Sequence, residues 1–231
     1  MLAPILFSVL IDDIIKLVSN ADIGVILFYA DDILIVARSR MLLQELFSLI
    51  ETMLSALNFV LNVNKCVCIR IGHRFDRICV SIKSHSGATL SWVNEIKYLG
   101  VYIVSGRQFR IAMDAAKRKF NRSVNSILSK TLGSLGEDVI LHLIKLKCLP
   151  ILLYGCEVCV LPKAAVNSLD FVLVRFGMKI FRTCSSRNTV LEIFENMGLK
   201  LPSQIIPWRA AKFLSRLDAI DNVFVRWCCK I

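Results

Sequence analysis

The sequence has no long uncharged run. The longest stretch free of Asp, Glu, Lys and Arg covers residues 52–64, 13 in all. A membrane-spanning helix needs roughly 20 apolar residues, so a multispan membrane protein is disfavoured despite a mean hydropathy of +0.61. Histidine is scarce: His73, His85 and His142 complete no zinc pattern with the cysteines. Met1 is followed by an apolar run to Ile11 with no basic residue before it and no small-residue cleavage site after it. It does not read as a signal peptide; the chain reads as entering in the middle of a fold. No internal repeat and no low-complexity segment is present. With 55% apolar and 20% charged residues, the 231-residue chain is no disordered tail and has ample material for a packed core.

Nine cysteines are present: Cys66, Cys68, Cys79, Cys148, Cys156, Cys159, Cys184, Cys228 and Cys229. The number is odd, and most lie in apolar segments. They read as reduced, buried thiols of an intracellular protein, nuclear or cytoplasmic. Cys156 and Cys159 form a single CxxC with no second pair at ligand spacing, so a structural role is expected.

The net charge of +11 is unevenly placed. Residues 1–105 carry 9 basic and 9 acidic side chains, and residues 106–231 carry 20 and 9. A neutral first half and a basic second half suggest two functional zones, the second facing a polyanion.

Hydrophobic spacing predicts a helix over 4–20, with Pro4 in its first turn. Residues 23–29 and 33–37 are short apolar runs on either side of Ala30-Asp31-Asp32 and read as a hairpin of two buried strands. A stripe of Leu42, Leu46, Leu49, Ile50, Met53 and Leu57 predicts an amphipathic helix over 39–57, capped by Ser39. Segments 60–71, 77–82 and 97–104 alternate like strands. Helices are expected over 108–130, 136–149, 163–182 and 203–220. The boundary falls near Ser105-Gly106, where strands give way to helices and the charge turns basic.

Phe28-Tyr29-Ala30-Asp31-Asp32 is the most informative segment. Two adjacent carboxylates between apolar strands are costly to bury unless a cation neutralises them. Hard oxygen ligands suit Mg²⁺, which takes one or two carboxylates together with substrate phosphates. Enzymes of phosphoryl transfer use such metals to activate the attacking oxygen and stabilise the leaving one. An ordinary hairpin turn is the alternative, since Asp favours turns.

This segment resembles the YADD box of reverse transcriptases, and the order of its neighbours resembles those of non-LTR (LINE-type) retrotransposons. Upstream, Leu2-Ala3-Pro4-Ile5-Leu6-Phe7 and Ile11-Asp12-Asp13 are similar to the end of motif B. Downstream, Leu61-Asn62-Val63-Asn64-Lys65-Cys66 resembles motif D, and Tyr98-Leu99-Gly100-Val101 resembles motif E, the primer grip. Leu152-Leu153-Tyr154-Gly155-Cys156-Glu157 resembles an LLYGxE segment of the thumb or connection region.

The resemblance implies an α/β fold: a partial right-hand polymerase palm over 1–105, then a mainly helical, basic thumb and carboxy-terminal region over 106–231. It implies that Asp31 and Asp32 bind Mg²⁺ or Mn²⁺, and that Lys65 lies near the incoming nucleotide's phosphates as a proton donor to pyrophosphate. Tyr29 belongs near the primer end, Tyr98, Leu99 and Gly100 hold the primer, and Pro4 and Phe7 lie beside the template. The implied partners are an RNA template, a DNA primer and deoxynucleoside triphosphates, with no membrane. Arg107, Arg110, Lys117, Arg118, Lys119, Arg122 and Lys130 fall within 24 residues that hold a single acid, Asp114. In the family this stretch begins the thumb, so Arg110, Lys117, Arg118 and Arg122 are candidate phosphate contacts, against the alternative of a solvated helix face.

The pattern also departs from the family. The third carboxylate, on motif A, and the fingers precede motif B in reverse transcriptases, and neither is found here. The expected chain is therefore a carboxy-terminal palm and thumb fragment, inactive alone. A non-catalytic nucleic-acid-binding remnant is the alternative, and a membrane-associated protein a second, motivated by hydropathy only.

Overall fold

The computed structural model describes residues 24–131, 134–181 and 187–220. The expected helix over 4–20, with Pro4 and Phe7, lies outside the described residues. The chain divides into two compact units, one of Met1–Ile96 with Ser105–Gln108, the other of Lys97–Val104 with Phe109–Ile231.

In the first unit, β1 (Gly24–Tyr29) and β2 (Asp32–Ala37) form the expected antiparallel hairpin. Its strands are rich in β-branched and aromatic residues, which suit a pleated surface. Ile26 faces Ile35 and Phe28 faces Ile33 across the ladder. All four pack against Ile50 and Leu54 of α1 (Arg40–Ala56). The strands are half-buried rather than buried: Val36, on the other face, is 50% exposed.

Helix α1 starts where Ser39 accepts a hydrogen bond from the Leu42 N–H at 3.3 Å and ends at Asn58, whose φ is +60°. The Phe59 N–H then donates to the Leu54 carbonyl at 2.8 Å, closing the last turn as a left-handed cap does. The adjacent side of α1 places Phe47 against Cys68, Ile82 and Leu90. Those residues come from a small sheet of β3 (Val67–Cys68), β4 (Ile82–Lys83) and β5 (Thr89–Trp92), ordered β3-β5-β4. The Gln44 amide docks this sheet on the helix. It donates to the Lys83 carbonyl at 2.7 Å and accepts from the Lys83 N–H at 2.8 Å.

Three strand expectations change. Residues 60–71 contribute only β3. Asn62 and Asn64 favour a turn, and Val63–Lys65 form a single 3-10 turn that lets Leu61 and Val63 pack inward. Residues 77–82 contribute only the start of β4, whereas Thr89–Trp92 is a strand that the alternation did not reveal. Residues 97–104 are not one strand: β6 (Glu95–Tyr98) and β7 (Val101–Val104) are separated at Leu99-Gly100, and β8 (Arg110–Ile111) follows in the order β6-β7-β8.

The second unit is mainly helical, with α2 (Asp114–Thr131), α3 (Glu137–Leu143), a π-helical stretch Ile144–Cys148, α4 (Leu149–Leu152), α5 (Lys163–Ile180), α6 (Arg187–Asn196) and α7 (Pro202–Asp218). The helix expected from residue 108 begins at Asp114, because Arg110 and Ile111 pair with Val104 and Ile103. The one expected over 136–149 widens into π geometry ahead of Pro150, which has no N–H to give the preceding turn. Helix α6 was not anticipated; only Val190 and Phe194 of it are buried, too few for a periodic signal. The core joins Phe120, Leu128, Ile144, Leu152, Leu169 and Leu173 among others, with the Phe120 and Phe176 rings edge to face at 6.3 Å.

Candidate functional site

The hairpin ladder runs out at the Tyr29–Asp32 pair, so Ala30 and Asp31 are a two-residue turn. Ala30 has φ +50° and Asp31 does not share the positive sign, the pattern of a type II′ turn, whose twist suits a hairpin. Alternation places Asp32 on the face opposite Phe28 and Ile33, with Asp31 at the turn itself. Both carboxylates are exposed, and Tyr29 beside them is 63% exposed. Among the described residues no cationic side chain pairs with either.

Two exposed hard-oxygen donors without a competing cation fit a Mg²⁺ half-site, in which substrate phosphates and water supply the remaining ligands. Among the described residues no group of three or more His, Cys, Asp and Glu side chains comes together to hold a metal. Among the described residues the donor set is therefore a pair.

Lys65 is exposed at the end of the 3-10 turn, its N–H donating to the Asn62 carbonyl at 2.9 Å. Leu61, four residues earlier, packs on the same Ile50 and Leu54 that seat the hairpin. One helix thus anchors both segments, while no hydrogen bond or ion pair joins Lys65 to Asp31 or Asp32 among the described residues.

Tyr98, Leu99 and Gly100 fold with the helical unit. Leu99 has φ +45° and Gly100 φ +85°, the two positive values of a type I′ turn. Glycine meets that requirement freely; leucine does not. The Tyr154 hydroxyl donates to the Leu99 carbonyl at 2.9 Å. A Cβ on Gly100 would lie 3.2 Å from Cε1 of the same ring, and one on Gly155 3.0 Å from Val101 Cγ2. The LLYG segment therefore sits directly on the YLGV turn. The candidates read from the sequence omit Tyr154, and no local signal pairs residues 55 apart. Beside this contact an apolar cleft of about 330 Å³ is lined by Gly100, Ile111, Ala115, Lys119, Pro150 and Tyr154.

The basic helix α2 buries Ala115, Phe120, Val124 and Leu128. Arg118, Lys119 and Arg122 are exposed, as is Arg110 on β8. Lys117 is turned inward. Its ammonium is 2.7 Å from Asp114 and donates to Ser168 Oγ at 3.1 Å. The hydrogen bond from Lys117, with its charge and that of Arg118, holds the Asp114 carboxyl below the usual range.

The CxxC pair is not poised as thiolate. Burial, then the neighbouring Glu157 and Cys159, push the Cys156 thiol up to about 12. Burial and Glu157 raise Cys159 as well. Protonated thiols are poor metal ligands.

Comparison with known families adds one finding. Residues 1–103 match the family of reverse transcriptases (RNA-dependent DNA polymerases). No curated protein matches the chain, and no solved structure does. The matched span contains the Asp31-Asp32 hairpin, Lys65 and the Tyr98–Gly100 turn, whereas Tyr154 and α2 lie beyond it. A mixed α/β fold with small sheets agrees with a reverse transcriptase fold. Among the described residues no helix is long and apolar enough to cross a membrane.

Proposed function

We propose that the chain is the palm and thumb portion of an RNA-directed DNA polymerase of the non-LTR retrotransposon type. Residues 1–105 form the palm from the end of motif B to motif E, and residues 106–231 the basic thumb and the region after it. The reading rests above all on one observation: Asp31 and Asp32 stand exposed at the tip of a tight hairpin, unpaired among the described residues, inside the span that matches reverse transcriptases.

Asp31 and Asp32 would hold the divalent metal, Mg²⁺ or Mn²⁺, which when bound neutralises triphosphate charge and lowers the pKa of the primer hydroxyl. Tyr29, next to them and exposed, lies against the primer end. Lys65 faces the phosphates of the incoming nucleotide and supplies a proton to the departing pyrophosphate. The Tyr98-Leu99-Gly100 turn holds the primer strand, Arg110, Arg118 and Arg122 contact its phosphates, and Pro4 and Phe7 belong beside the RNA template.

Among the described residues the donor set is a pair, one half of a two-metal site. A further carboxylate and a nucleotide-holding fingers segment are needed for turnover, since a misplacement of about 1 Å already costs on the order of a hundredfold in rate. The test is primer extension on an RNA template. Purified residues 1–231 should extend nothing with Mg²⁺ or Mn²⁺, and joining an upstream segment that carries fingers and motif A should confer extension. Extension by residues 1–231 alone would overturn the half-site, and none after joining would overturn the polymerase reading.

A further inference from the structure

We infer that Tyr154 is a positioning residue for the primer-holding turn: its hydroxyl keeps Leu99-Gly100 in the left-handed geometry that presents Tyr98–Gly100 to the primer. The inference deepens the polymerase reading and, as regards the primer, rests on it.

The turn does not specify itself. A type I′ turn favours Asn-Gly because both central residues take positive φ, yet the first position here is Leu99, at φ +45°. Its side chain is 37% exposed, so burial does not hold it there. An outside contact does. Tyr154 is 56% exposed, in a run whose neighbours Leu152, Leu153 and Cys156 are buried at 0%, 2% and 2%. Those three fix the backbone, and the tyrosine projects from it to place its hydroxyl 2.9 Å from the Leu99 carbonyl. Its ring edge covers Gly100. A half-exposed tyrosine whose hydroxyl is spent on a strained turn acts on the turn rather than on the core. The contact also links the turn to the anchor of α4, so the grip is held by the helical unit.

Two measurements on residues 1–231 test this. The first needs no nucleic acid: deuterium uptake by peptides covering residues 97–104. Tyr154→Phe keeps the ring and removes the hydrogen bond, and should speed uptake there about 2- to 10-fold, the worth of one net hydrogen bond, with residues 163–180 unchanged. Leu99→Asn in the same background gives the turn the pair it prefers and should return uptake towards wild type. The second is the ratio of affinities for an RNA–DNA hybrid with a recessed primer end and for a blunt one. Tyr154→Phe should lower that ratio by a similar factor while leaving blunt-hybrid affinity alone.

Unchanged uptake over 97–104, an equal rise over 163–180, or failure of Leu99→Asn to slow uptake back towards wild type would overturn the inference. So would faster uptake with an unchanged end preference. Wild-type protein that binds no hybrid would instead overturn the polymerase reading, leaving the exchange measurement to decide whether Tyr154 fixes the turn.

Discussion

The hydroxyl of Tyr154 is hydrogen-bonded to the carbonyl of Leu99, 55 residues earlier in the chain, and the same ring lies against Gly100. Replacing Gly100 therefore meets two obstacles. Its φ of +85° strains any residue with a Cβ, and the added atom would sit 3.2 Å from the Tyr154 ring. Gly100→Ala is expected to lower stability by about 1–2 kcal/mol, read as a fall in the urea midpoint at unchanged slope. An unaltered midpoint would show that the turn is looser than its dihedrals indicate.

Asp170, 5% exposed on α5, accepts a hydrogen bond from the Ser203 N–H at 2.9 Å. It thus satisfies a donor in the first turn of α7, which its own helix leaves unpaired. Asp170→Ala should cost about 1–2 kcal/mol, and Asp170→Asn less, because the amide oxygen still accepts. Thermal unfolding of the two variants side by side checks the order.

Stability should also fall at alkaline pH. The Cys156 and Cys68 thiols are pushed up to about 12 and about 11 by burial, so the folded state holds protons that the unfolded state has released above about 9. The contribution is complete below the unfolded value and is lost as pH rises towards the folded one. Cys156→Ala should flatten that decline between pH 9 and 10.5 relative to wild type. Parallel curves would mean that the thiol titrates normally.

Binding to an RNA–DNA hybrid should weaken steeply with salt. Arg118 and Arg122 are exposed one turn apart on α2, and reversing both to Glu should reduce the slope of log affinity against log salt by about 2, for all sequences alike. Lys117→Met should leave the slope nearly unchanged, because that ammonium is held by Asp114 and Ser168. A larger effect from Lys117 than from the two arginines would contradict the structure's division of roles.

The hairpin and α1 were legible because their signals are local: two apolar runs around Ala30-Asp31-Asp32, and a stripe behind a Ser39 cap. Helices α5 and α7 fall within two residues of their spacing-based limits at each end. What escaped depends on distant partners. The alternation over 60–71 reflects Leu61 and Val63 packing under a helix, not a strand. Lys117 falls on the basic side by spacing, but Ser168 on α5 turns it inward. The Tyr154 clamp joins two segments whose motifs were each visible, while their contact is written in neither.

The most direct measurement is single-nucleotide addition by the chain joined to a fingers and motif A segment, comparing Asp31→Asn with Asp76→Asn. Asp76 is also an exposed carboxylate and is not part of the hairpin. Removing a metal-binding charge should cost at least about a hundredfold in rate for Asp31→Asn, with hybrid affinity retained, while Asp76→Asn proceeds as wild type. Equal rates for the two variants would show that the hairpin carboxylates bind no catalytic metal, and would contradict the account at its centre.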